Sequence, residues 1–204
     1  MSRYTGPKAR LCRREGINLF DRPKYAKIME KRASRPGMHG TEGKKMSGFA
    51  IQLREKQKLR FMFGLSDRQL KTAVGKAVKT KGLTPELLMR GLEMRLDNVI
   101  YRAGLALTRP QARQMATHGH FLLNGRRVDI PSMRVDVGDK LELRPKLKGS
   151  KLYPLVAEDN KGYKAARWLK VESQAQALEV VGQPTGEDFE KIIDVQKIIE
   201  FYSR

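Results

Sequence analysis

Between residues 95 and 127 the chain carries arginines at spacings that suit them to grip phosphates. Arg95, Arg102, Arg109 and Arg113 fall on two short helical segments, and Arg126 and Arg127 follow an Asn124-Gly125 pair. A guanidinium is always charged and offers parallel N–H donors that match a phosphate or carboxylate. Arg109 and Arg113 lie four apart, so a helix sets them on one side. Thr108 opens that helix, and Asn124 shapes the tip that presents Arg126 and Arg127. Acids are scarce here before Asp129, so internal ion pairs are not expected to absorb these arginines. Asp97 reads as a partner for Arg102 or for a backbone group.

A second basic set lies earlier. Arg3, Lys8, Arg10, Arg13, Arg14, Lys44 and Lys45 dot the first 48 residues, with His39 in a turn among them. Arg54, Lys56, Lys58, Arg60 and Arg68 follow on helical spacings. Tyr4, Phe20, Tyr25, Phe49, Phe61, Phe63 and Trp168 have rings able to stack on bases. Aromatics are only 7% of the chain, so most of these rings are expected in the core.

Catalytic chemistry finds no motif. G-x-S-x-G, P-loop and H-E-x-x-H patterns are missing from the sequence, as is a Cys–His pair with a third member. Cys12 and His39 are two ligands, too few for a tetrahedral zinc site, and His118 and His120 sit elsewhere. No cofactor and no metal are expected. With one cysteine, an internal disulfide is impossible and nothing points to an oxidising compartment.

The overall charge agrees with the arginines. Lys and Arg number 42 against 22 acids, a formal net charge of +20 over 204 residues. Such self-repulsion disfavours a compact state unless a polyanion relieves it, and nucleic acid is the commonest one. Residues 1–60 hold 17 basic and 5 acidic side chains, whereas residues 151–204 hold 8 and 9. The polyanion should therefore meet the first three-quarters of the chain. A membrane is not expected, because no apolar run is long enough to span one. The start lacks an apolar signal segment and reads as mature protein.

Residues 1–48, with Pro7, Pro23, Pro36 and recurrent glycines, read as an extended basic arm that orders on a phosphate surface. Residues 49–93 read as helices, with Ala50, Leu53, Gln57 and Phe61 along one face. Ser66 to Gln69 and Thr108 to Gln111 have capping-box spacing, and Thr84-Pro85-Glu86 is a further helix start. Phe121 to Val128 is a hairpin, and Lys140 to Arg144 is a half-buried strand. Arg167–Val171 and Leu178–Val181 are candidate strands. Thr185 to Asp188 looks like the start of a last helix, with Ile192, Val195, Ile199 and Tyr202 as its stripe. The expected fold is α+β: a discontinuous, mainly helical domain (49–93 and 186–204), an inserted small α+β domain (94–154) of two helices and antiparallel strands, strands over 155–185, and the arm.

These residues carry a resemblance. Arg95 to Gly104, Thr108-Arg109 and Asn124 to Arg126 resemble the RNA-binding domain named after protein four of the small ribosomal subunit. Arg3 to Lys8, Arg13 to Gly16, Pro36 to Gly40, Gln52 to Lys58 and Glu200 to Arg204 are similar to the bacterial form of that ribosomal family. Family members bind the five-way junction in the 5′ domain of 16S ribosomal RNA and nucleate assembly of the subunit body. They meet ribosomal protein five near the channel by which mRNA enters, and they influence decoding accuracy. Some repress their own mRNA, and some bind zinc through an N-terminal cysteine cluster that Cys12 alone cannot supply. The resemblance thus implies a cytoplasmic protein of the small subunit with RNA, neighbouring ribosomal proteins and mRNA as partners. Asp129 has a counterpart in RNA-modifying enzymes with the same domain, but those enzymes add a catalytic domain of which this sequence shows no trace.

Overall fold

The computed structural model describes residues 4–41, 45–147, 149–150, 152–160, 162–172 and 177–203. The fold is α+β, with helices and one antiparallel sheet of five strands. The chain divides into two compact units, residues 1–76 with 191–204, and residues 77–190.

The first unit is helical. Helices α1 (Lys8–Glu15) and α2 (Pro23–Lys31) stand within the stretch that reads as an extended arm. Pro7 and Pro23, taken as breakers, lie at helix starts instead. Proline suits a first turn because its fixed φ is already helical and its missing N–H has no intrahelical partner there. Helix α1 buries Leu11 and Cys12 and ends at Gly16, whose φ of 70° is left-handed; glycine takes that conformation without a Cβ clash.

Helix α3 (Gly48–Met62) is capped by Ser47, whose hydroxyl accepts from the Ala50 N–H at 3.3 Å. Its buried side chains are Gln52, Glu55, Leu59 and Met62, not the expected face of Ala50, Leu53, Gln57 and Phe61. Two of the four are polar, so a search for apolar periodicity selects the wrong face. Gln52 donates to Glu200 at 2.9 Å while its buried amide oxygen has no partner among the described residues, and Glu55 accepts from Lys58 at 2.6 Å and from the Asp194 N–H at 3.1 Å. Helix α4 (Asp67–Lys79) runs across the boundary between the units. Its capping box forms as read, with Gln69 N–H on the Ser66 hydroxyl at 3.2 Å and Ser66 N–H on the Gln69 amide oxygen at 3.0 Å.

The second unit is built on the sheet. Helix α5 (Thr84–Glu93) leads into α6 (Leu96–Arg102) and α7 (Arg109–Thr117). Strands β1 (Phe121–Leu123), β2 (Arg126–Val128) and β3 (Lys140–Leu143) are followed by helix α8 (Leu152–Asp159). Strands β4 (Leu169–Glu172) and β5 (Ala177–Val180) complete the order β2-β1-β3-β5-β4. The strands read at Arg167–Val171 and Leu178–Val181 are present within a residue or two. One core joins Leu96, Val99, Ile100, Ala112 and Met115 of the helices to Phe121, Val128, Leu141, Leu143, Leu178 and Val180 of the strands.

The two units meet in the chain at 76/77 and 190/191. Glu93 and Glu190 both lie in the second unit and bind its arginines. Thr185 to Asp188 forms a single 3-10 turn with a capping box, not a helix start. The last helix, α9 (Val195–Tyr202), begins later, capped by Asp194 on the Lys197 N–H. Its buried residue is Ile198, while Ile192 is 41% exposed.

Candidate nucleic-acid interface

The Asn124-Gly125 turn forms the tip of the β1–β2 hairpin. Both residues have positive φ, 50° and 78°, the geometry of a two-residue turn that matches strand twist. Asn124 is tied back: its amide donates to Asp139 at 2.8 Å and its oxygen accepts from the Lys140 N–H at 2.9 Å. The tip is therefore held, and Arg126 and Arg127 next to it are exposed.

Behind the hairpin, helices α6 and α7 carry a fixed arginine frame. Asp97 binds Arg95 through both oxygens, at 3.0 and 2.8 Å, and Arg113 at 3.0 Å. Glu93, fully buried, binds Arg102 through both oxygens at 2.9 and 2.8 Å. Glu190 joins Arg102 at 3.0 Å to Arg109 at 2.8 Å. Asn98 closes the frame, donating to Glu93 at 2.6 Å and accepting from Arg109 at 2.9 Å. Arg109 also lies 4.5 Å over the Tyr101 ring, a cation–π contact. Thr108 caps α7, its hydroxyl accepting from the Gln111 N–H at 3.3 Å.

The expectation that ion pairs would not absorb these arginines is thus corrected. Asp97 pairs with Arg95 and Arg113 rather than Arg102, and Glu190 pairs with Arg102 and Arg109. Burial opposes the charge of Arg102, but its hydrogen bonds to Glu93 and the charges of Glu93 and Glu190 push its pKa up. Burial would raise the Glu190 pKa, yet Arg109 and Arg102 outweigh it and hold the carboxyl below its usual range. Sequence reasoning missed Glu93 and Glu190. Glu93 stands two residues before Arg95, a local signal, whereas Glu190 is 81 residues from Arg109.

The earlier basic set is spread over the first unit. Arg10, Arg14, His39, Lys45 and Arg68 are exposed. Arg13 donates to the Ser34 carbonyl at 3.1 Å, and Lys8 lies 5.2 Å over Phe20. Burial and then the charge of Arg22 push the Lys8 pKa down. Arg54 pairs with Glu15 at 3.2 Å, and Lys58 with Glu55. Lys56 and Arg60 both reach Asp67, at 3.0 and 2.7 Å. Arg3 and Lys44 lie outside the described residues. Among the described residues no three His, Cys, Asp or Glu side chains gather to hold a metal, and no helix is long and apolar enough to cross a membrane.

Two family models divide the chain near residue 93. The ribosomal protein S4/S9 N-terminal domain matches residues 3–93, and the S4 domain matches residues 94–141, the segment of the arginine frame and the hairpin. The chain is 43% identical to the small ribosomal subunit protein uS4 of Thermus thermophilus over 211 residues, covering 100% of both chains. It is 46% identical to that of Solidesulfovibrio magneticus over 213 residues and 44% identical to that of Clostridioides difficile over 208, again covering 100% of each. The chain belongs to the uS4 family. Membership makes it a structural protein of the small ribosomal subunit, at work in translation in the bacterial cytoplasm, and not an enzyme. The basic residues differ in kind: Arg95, Arg102, Arg109 and Arg113 are held by Glu93, Asp97 and Glu190, whereas Arg126, Arg127, Arg10 and Arg14 are exposed.

Proposed function

We propose that this uS4 member binds the 5′ domain of 16S ribosomal RNA at its junction of helices, and so nucleates assembly of the subunit body. The observation that carries this reading is the hairpin tip, with two exposed arginines on a turn braced by Asn124 and Asp139. A preorganised cation loses little entropy on meeting a phosphate. The arginine frame behind the tip keeps the two helices of the S4 domain in one arrangement, and Arg95, Arg102, Arg109 and Arg113 meet the RNA through whatever donors their carboxylates leave over. Arg10, Arg14, His39, Lys45 and Arg68 extend the RNA-binding surface along the first unit, and Arg3 and Lys44 belong to the same proposed set. Folded RNA is read here mostly by shape and phosphate position. Within the subunit the chain adjoins ribosomal protein five near the channel by which mRNA enters, and bears on decoding accuracy.

Hydroxyl-radical footprinting of a 5′-domain transcript with the full chain tests this. Protection confined to the junction supports it. Uniform weak protection, equal to that given by a basic peptide of the same charge, would overturn it.

A further inference from the structure

The first unit contains an open cleft of about 710 Å3, lined by α1, α3 and the turn at residues 35–40. Small-ligand sites span about 300–1,000 Å3, so the cleft suits one or two nucleotides and not a duplex. Arg10 and Arg14 stand one helical turn apart on its rim, and Arg35 joins them from the turn. Among the described residues none of these three is paired with a carboxylate. Tyr4, Met38 and Phe61 add apolar and aromatic surface to its lining, with Tyr4 and Met38 exposed to solvent. Tyr4 and Phe61 meet edge to face, their centroids 5.7 Å apart and their planes at 64°.

The walls are braced. Arg54 ties α3 to Glu15 of α1, and Arg13 ties α1 to the Ser34 carbonyl beside the turn. The turn itself admits no substitution at Gly40, where a Cβ would lie 1.9 Å from the Arg35 carbonyl oxygen. Gly37 holds a φ of 118°, which side chains rarely adopt. A tight glycine turn therefore fixes Arg35 and Met38 relative to α1.

We propose that this cleft takes one unpaired nucleotide turned out of a folded RNA, its phosphate on Arg10, Arg14 and Arg35 and its base against Tyr4, Met38 and Phe61. The inference rests on the RNA-binding reading and adds a site to it. An anion is favoured by three exposed arginines, of which only Arg14 lies near a carboxylate, that of Glu15, itself paired with Arg54. A flat partner is favoured by the aromatic pair, since base–aromatic stacking tolerates any base. An acidic peptide would answer the charge and leave the aromatic wall unused.

The test is photo-crosslinking of a 5′-domain transcript carrying 4-thiouridine to the full chain, with crosslinked peptides mapped by mass spectrometry. The proposal expects crosslinks on peptides containing Tyr4, Met38 or Phe61. They should fall about tenfold in Tyr4→Leu, the size of one missing stacking partner, and disappear in the double variant Arg10→Ala, Arg14→Ala. Arg10 and Arg14 are exposed, so that variant keeps the fold, which circular dichroism checks; its RNA affinity falls, but crosslinks at the hairpin tip, normalised to the RNA bound, should persist. Crosslinks at the tip but none in the cleft would overturn the proposal and leave the RNA reading standing. Displacement of the cleft crosslinks by polyglutamate as readily as by a single-stranded oligouridine would also overturn it, because charge alone would then explain them. No crosslinks and no binding would remove the RNA reading and the cleft with it.

Discussion

Asp97 and Glu93 each hold an arginine through both carboxylate oxygens, and removing either acid strands a cation in a largely buried place. Breaking such a buried pair costs about 3–5 kcal/mol. Asp97→Ala should therefore lower the stability of the second unit by about that much, because it removes the two-oxygen partner of Arg95 and an ion pair of Arg113. Trp168 is the only tryptophan and is 4% exposed within that unit, so urea unfolding followed by its fluorescence reads the destabilisation. Glu190 gives a pH signature. Its pKa is lowered in the fold, so its contribution is complete above the ordinary glutamate value of about 4.3 and drains away as pH falls through the lower folded value. The stability gap between the native chain and Glu190→Gln should be widest at neutral pH and shrink as pH falls below the ordinary glutamate range. An unchanged gap in urea titrations would contradict this. The arginines themselves were legible in the sequence. Their partners were legible only in part, because Glu190 comes to Arg102 from 88 residues away, a distance no local pattern spans.

Caps, turns and strands are the elements whose rules are local, and they matched the sequence reading well. Ser66 and the Asn124-Gly125 turn do what their spacing implies, and Thr108 caps its helix, although the Gln111 side chain accepts from the Leu107 N–H rather than closing a capping box. Thr108→Ala should cost about 1 kcal/mol, measured by the same urea titration, since it leaves the Gln111 N–H without its acceptor. Elements whose rules are tertiary were read less well. The arm at 1–48 lacks strong apolar periodicity, yet α1 forms there because Leu11 and Cys12 are buried and Gly16 ends it. The buried face of α3 was hidden because Gln52 and Glu55 lie on it, hydrogen-bonded to α9 and to the residue that caps it. That pairing makes α9 structural. Deleting residues 195–203 should expose Leu59 and Met62 and unfold the first unit, seen as a fall in helical circular dichroism. A chain that keeps its helicity without them would contradict the shared α3–α9 face.

Across the molecule, +20 of formal charge is a self-repulsion that a polyanion relieves. The structure offsets a share of it internally: Arg95, Arg102, Arg109 and Arg113 direct donors to carboxylates, while Arg126, Arg127, Arg10 and Arg14 face solvent. The double variant Arg126→Ala, Arg127→Ala should then lower the salt dependence of RNA binding by about 0.7–0.9 in log–log slope for each phosphate the variant no longer neutralises, without changing Trp168 fluorescence. The family was legible in the sequence, because its motifs recur along the whole chain in order. The central claim is that this chain recognises the shape of the 5′ domain and is more than a basic surface. The direct test is its affinity for a 5′-domain transcript beside an unrelated structured RNA of equal length, across a salt series. The account predicts 5′-domain binding that persists at salt concentrations where binding of the control vanishes. Equal affinities that collapse together would contradict it.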